Sequence, residues 1–145
     1  MTPIAKNDFY TLRVDAEKNR IYYKVVGYWP SPLDVPNFLT DIKKSLRLVQ
    51  KGFTMLLDFT AAEVHPSDVE KLRVEAQRKL VKAGLFKAAR VVSVDFTTGL
   101  QMELMSSKSK MKYKDFRDME EAEEWLDRKT KKLSKKKLKK LFGVF

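Results

Sequence analysis

The sequence predicts a single α/β domain with a mixed sheet of about five strands, an antiparallel hairpin first and parallel strands after it. Three observations carry this prediction. Two runs rich in β-branched and aromatic residues lie near the N-terminus, joined by the polar turn Ala16-Glu17-Lys18-Asn19. From Phe53 onward, apolar runs of strand length alternate with segments of helical periodicity, the pattern that favours parallel pairing through right-handed crossovers. A length of 145 residues with 43% hydrophobic content is enough for one buried core without cross-links.

The elements follow in order. Residues 8–15 alternate Tyr10, Leu12 and Val14 with Thr11 and Arg13, and residues 20–28 (RIYYKVVGY) supply the return strand of the hairpin. The stretch PSPLDVP then breaks the strand pattern, because proline brings no N–H to a ladder. Asp34 is the expected N-cap of a first helix with Pro36 in its first turn. Phe38, Ile42, Leu46 and Val49 fall on one face of that helix, and Gly52 ends it. Phe53 to Phe59 reads as a buried strand. Ser67 and Glu70 stand at capping-box spacing and open a second helix with the apolar stripe Val69, Leu72, Ala76, Leu80 and Ala83, stopped by Gly84. Arg90 to Asp95 is the next strand. A third helix, capped by Thr97 or Thr98, contains Leu100, Leu104 and Met105. Tyr113 to Phe116 form a short last strand, and Asp118 with Glu121 opens a last helix carrying Ala122, Trp125 and Leu126 on its core side.

Composition excludes several chemistries. The chain has no cysteine, which removes disulfides, thiol catalysis and cysteine-based metal sites, and its one histidine removes a multi-histidine metal site. Phosphate-binding glycine loops and a serine-nucleophile elbow are absent from the sequence. The apolar runs are too short to span a bilayer, and MTPIAKNDFY has no apolar core of a secretory signal. The expectation is a non-enzymatic, cytoplasmic protein with no cofactor and no metal. The formal charge of +11 is concentrated at one end: residues 128–145 hold nine basic residues and no acidic ones, and without them the balance is +2. The domain boundary is therefore expected near Asp127, with residues 1–127 as the folded domain and 128–145 as a basic tail.

With this element order, the chain resembles the SpoIIAA-like group of STAS-type domains. The stretches LLDFTAAEVHPSDVEKL (residues 56–72) and YKDFRDMEEAEEWL (residues 113–126) carry the likeness, which spans roughly residues 8–127. The resemblance implies a bacterial regulatory domain that binds a protein partner. Family members include anti-sigma-factor antagonists, switched by phosphorylation of a serine in an Asp-Ser-Ser-Gly turn that opens the second helix. Here that turn corresponds to His65-Pro66-Ser67-Asp68, with Asp68 on the phosphorylated position, Ser67 one before it, and Val69 in place of the glycine. The resemblance therefore implies the fold, and the phospho-switch does not carry over with it, which leaves phosphorylation of Ser67 open. The architecture is also similar to CRAL-TRIO lipid-binding domains, which implies an apolar ligand as the alternative.

The candidate site is the loop from Thr60 to Asp68 with the start of the second helix: Asp58, Thr60, His65, Ser67 and Asp68. Asp58 and Asp95 each end an apolar strand, where α/β sheets commonly place ligands, although aspartate is also an ordinary turn residue. His65 reads as a surface loop histidine and Ser67 as an N-cap. Trp29 is either an exposed aromatic anchor or part of the core. In the tail, Leu138, Leu141 and Phe142 fall on one half of a helical wheel, with Lys132, Lys135, Lys136, Lys139 and Lys140 mostly on the other. Such a helix suits an anionic membrane surface at the inner face of the cell, or docking on the domain or a second copy of the chain. The partner expected first is a protein. A homo-oligomer and a lipid surface reached through the tail come next, and nucleic acid comes last.

Overall fold

The structure is a computed structural model and describes residues 1–93 and 96–128. Val94, Asp95 and residues 129–145 lie outside it, and with them the expectations for Asp95 and for the tail residues Lys132, Lys135, Lys136, Leu138, Lys139, Lys140, Leu141 and Phe142.

Six strands form one sheet whose spatial order equals their order in the chain: β1 (Thr2–Lys6), β2 (Tyr10–Asp15), β3 (Arg20–Gly27), β4 (Thr54–Ala62), β5 (Lys87–Val91) and β6 (Tyr113–Phe116). β1, β2 and β3 pair antiparallel, and β3 to β6 pair parallel. Each parallel step is bridged by a helix: α1 (Phe38–Leu46), α2 (Ser67–Lys82) and α3 (Phe96–Ser109). Because the crossovers all step in one direction with one hand, the three helices share a face of the sheet. α4, residues 119–128, follows β6 and packs on the opposite face, where Ala122 and Leu126 meet Tyr22, Leu56, Ala89 and Val91.

The strand periodicity sorts these two layers. Tyr10, Leu12 and Val14 on β2, Ile21, Tyr23 and Val25 on β3, and Met55, Leu57 and Phe59 on β4 point to the α1–α3 side and form the main core. Val69, Ala76 and Leu80 reach it from α2, as the helical stripe predicts, and Met102, Met105 and Met111 fill the edge below α3. Trp125 packs beside Phe116 with ring centres 5.5 Å apart. Asp118 caps α4 by accepting the Glu120 N–H at 2.8 Å.

Several boundaries differ from the sequence reading. β1 is a sixth strand where about five were expected; its Pro3 suits an edge strand and obscures the pattern. Asp34 does not cap α1. It closes a 3-10 turn, Pro32–Asp34, whose N-cap Ser31 accepts the Leu33 N–H at 3.1 Å, and α1 starts only at Phe38. β5 begins at Lys87, three residues before the expected start, because Lys87 and Arg90 are buried strand residues despite their charge. α3 begins at Phe96, so Thr97 and Thr98 lie inside the helix and not at the position before it. Of the apolar residues on α3, Leu100 and Leu104 stand exposed and Met105 is buried.

Candidate functional site

The expected site residues separate into three places. Asp58 and Thr60 lie on the face of β4 away from α1–α3, and Asp58 does not end the strand, which runs on to Ala62. There the Asp58 carboxylate accepts the Thr60 hydroxyl at 2.7 Å and the Thr60 N–H at 3.1 Å, a local turn contact. Asp58 borders an open groove of about 370 Å³ on the bare sheet face beside α4, with Arg13, Tyr22, Lys24 and Leu56 in its walls.

Ser67 and Asp68 are exposed at the start of α2. Ser67 is not the cap. Pro66 occupies the N-cap position with extended backbone (φ −61, ψ 161) and offers no side-chain acceptor. The capping box does not form either: Glu70 turns away to Lys108, at 3.0 Å, and to Gln101. Proline suffices here because its extended backbone sets the chain's entry into the helix.

His65 and Trp29 come together in the interior. His65 is only 4% exposed and Trp29 is fully buried, so His65 is not a surface loop histidine and Trp29 is not an exposed anchor. Their rings stack with centres 5.1 Å apart and an interplanar angle of 23°. Trp29 donates its indole N–H to the Phe9 carbonyl at 2.8 Å, which ties it beneath the hairpin. The exposed aromatic at this corner is its neighbour Tyr28, at 49% exposure.

The loop that delivers His65 is pinned from both sides. Gln101 on α3 receives the His65 backbone N–H on Oε1 and donates from Nε2 to the His65 carbonyl, both at 2.8 Å. Gly27, at the end of β3 with φ +65, turns its carbonyl toward the loop and accepts both the Glu63 N–H (3.1 Å) and His65 Nε2–H (2.9 Å). With Nε2 protonated, Nδ1 is an acceptor and faces the Arg73 guanidinium at 3.3 Å. Burial, reinforced by the Arg73 charge and opposed by the Gly27 carbonyl, lowers the His65 pKa to about 4. His65 is therefore neutral near pH 7, with both ring nitrogens engaged.

Arg73 is the residue that the sequence reading missed. It lies on α2 under Trp29 and Phe59, with its guanidinium carbon 5.8 and 5.2 Å from the two ring centres. Its spacing was informative: Arg73 stands four residues after Val69, three before Ala76 and seven before Leu80, so it occupies the buried stripe. Gln101 and Tyr28 carried no comparable signal, because only the tertiary fold brings α3 and the end of β3 to the same loop. Among the described residues no cluster of three or more histidine or acidic side chains is arranged to hold a metal, and no helix is long and apolar enough to cross a membrane.

A mixed sheet with three crossover helices on one face and a C-terminal helix on the other, entered by an N-terminal antiparallel hairpin, defines a SpoIIAA-like fold of the STAS type. The crystal structure of an uncharacterised DUF3478-family protein from Shewanella loihica PV-4, itself described as SpoIIAA-like, superposes on this chain with a TM-score of 0.59. The match covers 84% of this chain and 97% of that one at 14% identity, so the likeness is one of fold. No protein-family model and no curated protein matches the sequence.

Proposed function

We propose that the chain is a non-catalytic, regulatory interaction domain that binds a protein partner at the carboxyl end of its parallel strands. The observation that supports this reading is a set of large apolar side chains left exposed around one pinned loop. Tyr28 follows β3, Val64 precedes His65, and Leu100 and Leu104 flank the clamping Gln101 on α3, with Leu104 at 57% exposure. Exposed apolar side chains grouped on a rigid support are the usual anchors of a protein interface. The carboxyl end of a parallel sheet is also where α/β folds tend to bind ligands. The acid–base candidate at this loop is already committed, His65 to Gly27 and Arg73, which supports a binding role over catalysis.

The test is co-purification from the native cell with the parent chain and with a Leu100→Asp/Leu104→Asp variant. Both positions face solvent, so the variant should keep the parent Tm to within about 2 °C. Loss of one specific partner from the variant supports the surface. Retention of the same partner at the same yield refutes it. The lipid alternative rests on the sequence pattern of residues 128–145 and is decided by co-sedimentation with anionic vesicles. Replacing Leu138, Leu141 and Phe142 by serine should abolish most of that binding if apolar insertion contributes.

A further inference from the structure

The nearly balanced charge of residues 1–127 is sorted between the two ends of the parallel sheet. The stretches that leave a parallel strand and enter the next helix, residues 25–41, 58–70 and 95–103, contain no lysine or arginine. The stretches that leave a helix and enter the next strand, residues 42–57, 76–94 and 104–114, contain no aspartate or glutamate. The strands start in register, Arg20 beside Thr54, Thr54 beside Lys87 and Ala88 beside Tyr113, so the three basic turns lie along one edge. Hydrogen bonds hold them side by side: the Gly52 N–H donates to the Gly84 carbonyl and the Phe86 N–H to the Phe53 carbonyl, both at 2.8 Å, and the Ala88 N–H donates to the Lys112 carbonyl at 3.0 Å. Between them an open hollow of about 390 Å³ is lined by Lys51, Lys110 and Lys112 together with Val81, Leu85 and Phe86. The three lysines are exposed and, among the described residues, make no ion pair. From this segregation we infer that the amino edge of the parallel sheet is a docking face for an anionic membrane surface, with lipid phosphate groups drawn to the lysine-lined hollow.

Helix dipoles explain only part of this charge. A helix C-terminus carries roughly half a negative charge, which one nearby cation answers. At this edge α1 ends with Lys43 and Lys44 and is followed by Arg47 and Lys51, while α3 is followed by Lys110 and Lys112. Clustered like charges repel one another, and an anionic surface relieves that repulsion. The end of α4 reaches the same edge, because Asp127 accepts from Arg20, the first residue of β3, at 2.9 Å. The basic residues 129–145 therefore continue in sequence from a point at this edge. Two observations favour a membrane over a nucleic acid. The hollow offers lysines and no arginine, point charges that suit mobile headgroups better than a fixed two-pronged contact. The rings at this edge are not open for base stacking: Phe53 is buried, and Phe86 and Tyr113 are half-buried.

The experiment uses the full chain and vesicles of phosphatidylglycerol and phosphatidylcholine in equal parts, with pure phosphatidylcholine as the neutral reference. Two triple variants remove the same charge and leave residues 128–145 intact. Lys51→Gln/Lys110→Gln/Lys112→Gln strips the hollow. Lys6→Gln/Lys24→Gln/Lys71→Gln takes exposed lysines from the opposite end of the sheet. Both should keep the parent Tm to within about 2 °C. The parent should co-sediment with the mixed vesicles and not with the neutral ones, and added salt should weaken the binding. The hollow variant should bind about a hundredfold more weakly, because each lysine near an anionic surface contributes about fivefold. The second variant should stay within about threefold of the parent, since its changes lie beyond a Debye length of about 10 Å from the membrane. A parent that ignores the mixed vesicles overturns the proposal. So does an equal loss in both variants, which is net charge without a docking face, and so does undiminished binding by the hollow variant, which leaves residues 128–145 as the contact. Duplex DNA or RNA bound more tightly than the mixed vesicles, and released by the hollow variant, overturns it in favour of nucleic acid. Neither variant alters Tyr28, Leu100 or Leu104, so the protein-partner surface is tested separately.

Discussion

Acidification should destabilise this protein through one imidazole. In the unfolded chain His65 titrates near 6.5, and in the native state its pKa is about 4, chiefly because the ring is buried and secondly because Arg73 lies 3.3 Å from Nδ1. Above pH 6.5 both states hold a neutral ring and the full stability is present. Between pH 6.5 and 4 the unfolded chain binds a proton that the native state refuses, so stability falls as pH falls. A gap of about 2.5 pH units at 1.36 kcal/mol each corresponds to about 3 kcal/mol, a large part of a small domain's stability. Solvent screening does little to reduce this, since the side chain is almost fully buried. The assay is urea unfolding at pH 7.5, 6.5, 5.5 and 4.5 for the parent and for His65→Gln. The variant loses the stack on Trp29 at every pH, but it should lack this part of the slope, and the carboxylates common to both proteins cancel in the difference. The chain has a single histidine, so its imidazole resonance reports the native pKa directly. A native pKa near 6.5, or parallel stability curves for parent and variant, would refute the argument.

Three further outcomes follow from the geometry. Arg20 is buried and bonds Thr54 Oγ1, Glu123 and Asp127, joining α4 to the sheet, so Arg20→Met should cost about 2–4 kcal/mol in urea unfolding; a cost below about 0.5 kcal/mol would mean that α4 is held by its apolar face alone. Ser67 caps nothing, so Ser67→Ala should change stability by less than about 0.5 kcal/mol, whereas Asp118→Ala, which removes the α4 cap, should cost about 1 kcal/mol. Gly52 and Gly84 both have positive φ, +93 and +103, but only at Gly84 would an added Cβ meet Lys51, at 2.5 Å from its Cγ and 3.2 Å from its Cα. Gly52→Ala should therefore cost about 1–2 kcal/mol and Gly84→Ala clearly more by the same measurement.

Much of the architecture was legible because it depends on local periodicity. The alternation of Tyr10, Leu12 and Val14, the stripe Val69, Ala76 and Leu80, and the glycine at 84 each reflect a short-range rule, and the structure follows them. The candidate site was less legible. Ser67 satisfied a spacing rule that proline at position 66 overrode, because the N-cap position went to a residue with no acceptor side chain. Lys87 and Arg90 concealed a buried strand start. Each finds an interior partner that no local window displays: Lys87 lies 3.9 Å from the Trp125 ring centre, and Arg90 makes a two-pronged pair with Asp115.

The sequence by itself determined most of the strands and helices, β1 excepted, the mixed α/β class they build, and that the net charge sits at the C-terminal end. Those properties arise from residues a few positions apart. The tertiary structure alone decided that His65 and Trp29 are interior and stacked, that Tyr28, Leu100 and Leu104 are the exposed groups, and that Arg73 is enclosed. Burial is set by what arrives from elsewhere in the chain: Gln101 of α3 draws the loop inward by both its backbone groups, and Gly27 of β3 turns a carbonyl to meet the imidazole. A histidine before a proline carries the same local pattern whether it ends in water or under a tryptophan. Long-range packing, through contacts 36 and 38 residues apart in the chain, makes the difference.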